Sequence, residues 1–248
     1  MSELNNKNEI SRIKLHYFSS PGAQCHYWNS NESEVCNLFA ALQKAQDGNM
    51  PDGYAVHQNS IYLFEHFEFD AYPRTKSGSK YKKGDIEIQR RFLRENQEDP
   101  SKKSLHTAVP GKPSMQHYIK NVQEIFSKHL RQVPTYKKNI RELLKNDDME
   151  TRVIFIIEDT TTLGSILQDG RQVILPECDF FIELFEQQDE MDGILCIASG
   201  SHGKSIVSYM DKASIPTLRM NMIQTSNVEL IPWNTMVMHR IFEIPNDN

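Results

Sequence analysis

The most constraining feature of the sequence is an almost uninterrupted apolar run, TRVIFIIEDTTTLG, at residues 151–164. Successive side chains of a strand point to opposite faces of its sheet, so a run that is apolar at every position predicts a strand buried on both faces. Its polar end, Glu158 and Asp159, lies where open α/β sheets bind ligands, although Asp159 could also simply cap the following turn. With helical patterns on either side, the run predicts an α/β or α+β fold, a mixed β-sheet with a β-hairpin, flanked by helices.

The remaining elements are predicted by apolar spacing and by turn residues. Helical spacing appears at 33–46, from about 114 to Pro134, at 135–146 and at 177–187. We predict one domain, 1–248, in which a basic loop and helical segment, 71–145, separates a hairpin at 52–70 from the later sheet strands of 151–248. Residues 198–205, ASGSHGKS, are similar to a phosphate-binding loop, but the alternating SIVSYM that follows predicts a strand and hence a hairpin turn.

The strand SIYLFEHFEFDAYP, residues 60–73, carries acids on both of its faces. Glu65 shares its face with isoleucine, leucine and phenylalanine, and an unpaired carboxylate there would cost several kcal/mol without a metal or a partner. His66, Glu68 and Asp70 share the other face, which we interpret as the polar outward side of an edge strand. Glu65 is therefore the stronger functional candidate.

Two further acids are expected near Glu65. Asp52 begins the neighbouring strand of the hairpin, and adjacent strands lie about 4.8 Å apart, so both carboxylates could reach one divalent cation. Glu34, at the start of the preceding helix, could supply a third ligand. Carboxylates around Mg²⁺ suit phosphodiester cleavage, because the metal polarises the phosphoryl oxygen and lowers the pKa of an attacking water.

A helix with an acid, a Pro-Asp pair and a strand with an acid together resemble the PD-(D/E)XK, or restriction-endonuclease-like, nucleases. The resemblance covers roughly residues 33–70 and implies Mg²⁺ or Mn²⁺ as cofactor. It implies catalytic roles for Asp52, Glu65 and Glu34, with Asp52 and Glu65 as metal ligands; we add Glu68, from the same strand, as a further ligand.

The lysine of that motif is replaced by Phe67. In the family this lysine supports the nucleophilic water, so an active enzyme would need a substitute. Lys76 and Lys80 in the following loop, or Lys120 on the next predicted helix, are candidates. The segment DIEIQ, residues 85–89, offers a second register of the motif.

Charge is distributed very unevenly along the 248 residues. Residues 1–70 carry a net charge of −5, residues 71–145 carry +11 and residues 146–248 carry −11. The basic middle predicts a nucleic-acid partner, whereas the alternative is a charge match between basic helices and an acidic sheet layer. The predicted nucleic-acid contacts are Arg74, Lys76, Lys80, Lys82, Lys83, Arg90 and Arg91.

We therefore expect a metal-dependent nuclease acting on nucleic acid, with DNA favoured over RNA, and a role in bacterial or phage defence is implied by the resemblance alone. The alternative is a non-catalytic nucleic-acid-binding or regulatory protein on a decayed nuclease scaffold, which Phe67 favours. Neither a signal peptide nor a membrane span is apparent, and the four scattered cysteines suggest reduced thiols, so we expect a cytoplasmic protein. A homodimer or a protein partner stays open.

Overall fold

The computed structural model describes residues 8–18, 25–28, 30–75, 78–79, 104–107, 114–160, 166–168, 171–199, 205–230 and 240–243. The α-helices are α1 (Glu9–Ile13), α2 (Glu32–Lys44), α3 (Met115–Leu130), α4 (Val133–Leu144), α5 (Asp179–Glu186) and α6 (Ile215–Asn221). The strands are β1 (Cys25–Tyr27), β2 (Gln46–Asp47), β3 (Gly53–His57), β4 (Ser60–Phe69), β5 (Arg74–Thr75), β6 (Gly78–Ser79), β7 (Ser104–Thr107), β8 (Glu150–Asp159), β9 (Ile166–Gln168), β10 (Arg171–Val173), β11 (Gly193–Ser199), β12 (Ser205–Asp211), β13 (Glu229–Leu230) and β14 (Arg240–Glu243).

Seven strands of the described part form one mixed sheet in the order β1-β12-β11-β8-β4-β3-β2. The central pairs β4–β8 and β8–β11 are parallel, whereas the hairpins β3–β4 and β11–β12 are antiparallel. The α/β fold with a mixed sheet, a hairpin and flanking helices is thus confirmed. The antiparallel pairing of β11 with β12 also confirms that these strands form the predicted hairpin, whose turn residues 200–204 lie outside the described residues.

The sheet is covered on both faces, which explains the apolar run in β8. Val153, Phe155 and Ile157 pack on the face that α3, α4, α5 and α6 cover, whereas Ile154 and Ile156 pack on the face that α1 and α2 cover. We call these the α3–α4 face and the α1–α2 face. The predicted double burial of this strand is confirmed.

β4 lies between β3 and β8, so it is a central strand and the edge-strand interpretation of its polar face is wrong. His66 is 4% exposed and Asp70 is 1% exposed. The side chains of β4 alternate between the two faces, with Leu63 and Phe67 on the α3–α4 face and Phe64 on the α1–α2 face. This alternation sends Glu65 and His66 to opposite sides of the sheet.

Two segments that the sequence pattern assigns to loops contain strands. Ser104–Thr107, within a proline-rich stretch, pairs with Arg240–Glu243, and Arg74–Thr75 pairs with Gly78–Ser79 in the predicted basic loop. Such short strands form only because another strand pairs with them, either far away in the sequence or a few residues away. The apolar periodicity of a single segment therefore does not reveal them. The second motif register at 85–89 lies outside the described residues.

The central packing predicts the effect of a large-to-small substitution. Phe155 has no exposed surface and meets the rings of Phe67 and Phe126 edge-on, with centroids 5.6 Å away in both cases. We expect Phe155→Ala to lower the free energy of unfolding by about 3–5 kcal/mol, measured by urea denaturation. Val56→Ala, at a 47% exposed position of β3, serves as control and should lower it by less than about 1 kcal/mol. Equal losses in the two variants would contradict the assignment of Phe155 to the core.

Candidate functional site

Asp52 and Glu65 meet across the β3–β4 hairpin, as the sequence predicts. Gly53 is paired with Phe64, which places Asp52 beside Glu65. The backbone N–H of Asp52 donates to Oε2 of Glu65 at 3.3 Å, and Oδ2 of Asp52 accepts from the backbone N–H of His66 at 2.8 Å. These two hydrogen bonds continue the pairing of the hairpin strands by one residue. They hold the carboxylate of Asp52 next to that of Glu65.

Glu65 is held from the other side by two helical side chains. The hydroxyl of Tyr136, on α4, donates to Oε1 at 2.6 Å, and Nδ1 of His129, near the end of α3, lies 2.7 Å from the same oxygen. The glutamate is only 6% exposed. These donors explain how a carboxylate is tolerated among apolar neighbours, because a buried charge is stable only when it is hydrogen-bonded or paired.

The position of the missing lysine is part of the core. The ring of Phe67 stacks on that of His129 with centroids 4.8 Å apart, and it meets Phe126 and Phe155 edge-on. The stacking holds the imidazole at the carboxylate of Glu65. Lys120, a predicted substitute, is on the solvent side of α3, where its ammonium lies 3.8 Å from Glu124; Lys76 and Lys80 lie outside the described residues.

His129 and Tyr136 are site residues that the sequence reasoning missed. A signal for them existed, because His129 follows Ile125 and Phe126 at helical spacing and Tyr136 lies between Val133 and Ile140 on the buried stripe of α4. Polar side chains on an otherwise apolar helix stripe must find a partner in the core. Here the partner is Glu65.

The carboxylate pair is short of positive charge. Burial raises the pKa of Asp52, and the neighbouring charge of Glu65 raises it further, to about 7. Among the described residues, the one basic side chain in ion-pair contact with either acid is His129. A proton or a bound cation would therefore relieve the repulsion between the two acids.

Glu34 does not join this site, so its predicted role there is wrong. It lies on α2, on the α1–α2 face, with Oε1 at 3.9 Å from the guanidinium of Arg152. Arg152 is in register with Tyr62, three positions along β4 from Glu65. The sheet thus separates Glu34 from Glu65, because α2 packs on one face and Glu65 points to the other.

Glu68 is also on the opposite face from Glu65, where it belongs to a second cluster. The two nitrogens of the His66 ring contact Glu9 and Glu158 at 2.7 and 3.2 Å. Arg12 lies 3.6–3.7 Å from Glu9, Glu68 and Glu158. Potential ligand atoms of His66, Glu68 and Glu158 lie within 4.8 Å of one another, a spacing that could hold a metal ion. Glu68 therefore does not share a cation site with Asp52 and Glu65.

Most of the charge of this second cluster is already compensated within the protein. Burial lowers the pKa of His66, but the hydrogen bonds to Glu158 and Glu9 outweigh burial and raise it to about 9. Burial raises the pKa of Glu158, but hydrogen bonds from His66 and Tyr17 outweigh it and lower the pKa to about 2. An imidazolium and the guanidinium of Arg12 thus neutralise most of the carboxylate charge. A metal would have to displace a proton and an arginine, so we interpret the cluster as an ion network that fastens α1 to β4 and β8.

The two acids at the end of β8 are divided between the faces. Glu158 belongs to the ion network, whereas Oδ2 of Asp159 accepts from the hydroxyl of Tyr118 at 3.0 Å on the α3–α4 side. The alternation of the strand produces this division, just as it separates Glu65 from His66.

The basic segment leaves the sheet at a fixed point after β4. The side-chain amide of Asn121 donates to the carbonyl oxygens of Asp70 and Tyr72 at 2.7 and 2.9 Å, and Arg74 follows on the surface. The other predicted nucleic-acid contacts lie outside the described residues; they are Lys76, Lys80, Lys82, Lys83, Arg90 and Arg91. In the described part, Lys128 and Arg131 are exposed and lie on either side of His129 in the sequence.

No family model matches the chain, and no curated protein or solved structure matches it either. Within the described ranges, none of the helices combines the length and the apolar character needed to cross a membrane. What the chain does must therefore be inferred from the chemistry of its own residues.

The ion network predicts a loss of stability at alkaline pH. The pKa of His66 in the folded protein, about 9, lies above its ordinary value of 6.5, so its stabilising effect is complete below pH 6.5 and is lost as the pH rises through 9. We expect the free energy of unfolding to fall by on the order of 3 kcal/mol across this window. His66→Gln should be less stable at pH 6 and show little of this fall, as measured by urea denaturation at pH 6 and 9.

His57→Gln, on the same hairpin, is the control and should keep the pH dependence of the wild-type protein. An unchanged fall in His66→Gln would show that another group is responsible.

Proposed function

We propose that this chain is a metal-dependent nuclease in which Asp52 and Glu65 bind Mg²⁺ or Mn²⁺ and which hydrolyses phosphodiester bonds of nucleic acid. The observation that supports this most is the carboxylate pair itself. Two acids are held side by side with too little positive charge around them, and the pKa of Asp52 rises to about 7 as a result of burial and of Glu65. Such a pair is stabilised by a divalent cation.

The donor atoms of the pair suit these metals. Carboxylate oxygens are preferred ligands of Mg²⁺ and Mn²⁺, and Mg²⁺ is commonly bound by one or two carboxylates together with waters and substrate phosphates. Hydrogen bonds fix Oε1 of Glu65 and Oδ2 of Asp52. Oε2 of Glu65 receives only a long hydrogen bond, and among the described residues none reaches Oδ1 of Asp52. One oxygen of each acid is thus left to face a cation.

The surrounding residues orient the two ligands. Tyr136 and His129 hold Glu65, Phe67 stacks on His129, and the backbone of His66 holds Asp52. The metal, when bound, would polarise a phosphoryl oxygen and lower the pKa of a coordinated water. Because these ligands are already in position, no free energy is lost in rearranging them when the substrate binds.

The charge of the middle third supports a polyanionic substrate. Residues 71–145 carry a net charge of +11, and their exposed members Lys128 and Arg131 flank the residue that contacts Glu65. Lysine and arginine side chains on phosphates supply most of the affinity for nucleic acid. DNA as substrate and a role in defence complete the proposal and follow from the family resemblance, and a cytoplasmic location is proposed with them.

Cleavage of plasmid DNA, single-stranded DNA and RNA by the purified chain, with Mg²⁺, Mn²⁺ or EDTA, tests the proposed activity. We expect metal-dependent cleavage that Asp52→Asn and Glu65→Gln reduce by at least about 100-fold, because each removes a metal-binding charge. Glu34→Gln and Glu68→Gln are matched controls and should cleave like the wild-type protein, since both acids lie on the other face of the sheet.

Circular dichroism should show that all four variants are folded. Equal cleavage by wild type, Asp52→Asn and Glu65→Gln would exclude the pair as the metal site and would point to a contaminating nuclease.

A specific observation favours a second candidate, a nucleic-acid-binding protein without catalytic activity. The motif position that would carry lysine is Phe67, which is buried and packed against Phe126 and Phe155. An active site that depends on a cation at this position would not function. The protein would then still bind nucleic acid through its basic surface but would not cleave it.

Binding to a fluorescent DNA oligonucleotide at several salt concentrations tests the basic surface. We expect the logarithm of the binding constant to fall linearly with that of the salt concentration. Lys128→Ala combined with Arg131→Ala should reduce the slope by about two, because each side chain neutralises one phosphate. Lys138→Ala, whose lysine is exposed on α4 and paired with Glu142 at 3.8 Å, is the control and should leave the slope nearly unchanged. Salt-dependent binding without cleavage under any metal would favour the second candidate, and a slope insensitive to both basic residues would place the contact elsewhere.

A further inference from the structure

A cavity of about 400 Å³ opens on the α1–α2 face, near the starts of β4 and β8. It is distinct from the carboxylate pair, which lies on the other face of the sheet. Its lining includes Tyr62, Arg152, Asp192, Tyr209 and Asp211. The volume falls within the range of small-molecule sites and is larger than a single ion requires.

The hydroxyl of Tyr209 is an unused polar group in this cavity. The side chain is 5% exposed, and within the described ranges its hydroxyl has no hydrogen-bond partner. Burial and the nearby charges of Asp211, Glu34 and Asp192 raise the pKa of Tyr209. The hydroxyl is therefore free to form a hydrogen bond with a ligand in the cavity that Tyr209 lines.

The position of Tyr209 depends on Gly193. A Cβ atom at residue 193 would lie 2.6 Å from Cε2 and from the hydroxyl oxygen of the tyrosine, a distance that real side chains do not tolerate. Glycine therefore leaves the space that the tyrosine ring occupies next to Asp192.

The charge of the cavity is negative even after its internal pairs are counted. Arg152 lies 3.9 Å from Glu34 and 3.4 Å from Glu150. Lys212 directs its ammonium to the carbonyl oxygens of residues 185 and 186 at 2.9 and 3.0 Å. Asp189, Asp192 and Asp211 then provide carboxylates beyond those that Arg152 meets. Oδ1 of Asp211 already accepts from the backbone N–H and the hydroxyl of Ser214, both at 2.9 Å, so its Oδ2 is the oxygen left for a ligand.

The carboxylates of this cavity are arranged for an extended ligand. Among the described residues, the one cluster with three ligand atoms close enough for a metal ion is that of His66, Glu68 and Glu158, so the acids here are spaced more widely. Oδ2 of Asp192 accepts from the backbone N–H of Val153 at 2.7 Å, which fixes this carboxylate at the wall. Carboxylates and the aromatic rings of Tyr62 and Tyr209 in one cavity suit ammonium groups linked by a hydrocarbon chain.

We propose that this cavity binds a small organic cation with more than one ammonium group, of the polyamine class. An ammonium donates to the carboxylate of Asp192 and to the hydroxyl oxygen of Tyr209, and a second one meets Asp211. The hydrocarbon chain packs on Leu38 and Ile154, which also line the cavity. The site does not depend on the proposed nuclease activity.

Isothermal titration of the full chain with spermidine at low salt tests the proposal. We expect one saturable site per chain. Asp192→Asn keeps an acceptor for the backbone of Val153 but removes the charge, and it should weaken binding by at least about tenfold. Tyr209→Phe should weaken binding about threefold or more, because one hydrogen bond is lost.

Glu183→Gln, at an exposed position of α5, removes the same charge outside the cavity and should leave the affinity unchanged. Tyr54→Phe is the matched control for the hydroxyl and should behave likewise. The proposal is overturned if spermidine shows no saturable binding, if Glu183→Gln weakens binding as much as Asp192→Asn, or if inorganic phosphate binds in the cavity in place of spermidine. Urea denaturation of each variant ensures that the comparison is made on folded protein, and Tyr209→Phe still decides the question if Asp192→Asn does not fold.

Discussion

The parallel pairing of β4 with β8 in the middle of the sheet is the interaction on which the rest of the molecule depends. It runs over ten register positions, from Ser60 opposite Glu150 to Phe69 opposite Asp159. Because both strands are buried on both faces, every side chain is assigned to one helical layer or the other. The acids are divided in the same way. Glu65 goes to the α3–α4 layer, whereas His66, Glu68 and Glu158 go to the layer that contains α1, and two carboxylate clusters with different electrostatics result.

These clusters differ in how their charge is compensated, and this decides what each can do. On the α1–α2 face, the protein supplies its own cations: the pKa of His66 rises to about 9 and Arg12 lies within 4 Å of three carboxylates. On the other face, the carboxylates of Asp52 and Glu65 raise each other's free energy, and hydrogen-bond donors replace cations. A network whose charge is largely compensated contributes stability, whereas two carboxylates that repel each other are stabilised by a cation that binds between them.

The sequence predicts local relationships well and distant ones poorly. The contact between Asp52 and Glu65 follows from a tight hairpin, in which a few turn residues fix the register. The partners of Glu65 could not be derived in this way, since His129 and Tyr136 are 64 and 71 positions away and reach it only because α3 and α4 pack on that face. The prediction for Glu34 is wrong for the same reason: the sequence predicts its place at the start of a helix but not the face of the sheet that α2 covers. Periodicity shows which residues share a face of one element, and tertiary packing decides which face of the sheet that element covers.

Phe67 illustrates how packing limits the chemistry available to a strand residue. Its position on β4 points between Phe126 and Phe155, where a lysine would bury an ammonium among aromatic rings at a cost of several kcal/mol. An aromatic side chain fills that space and also provides a flat surface against which the imidazole of His129 stacks. The nitrogen donor beside Glu65 thus comes from a helix instead of the strand. The core that excludes a lysine from position 67 is therefore the same core that positions the imidazole of His129 at the carboxylate of Glu65.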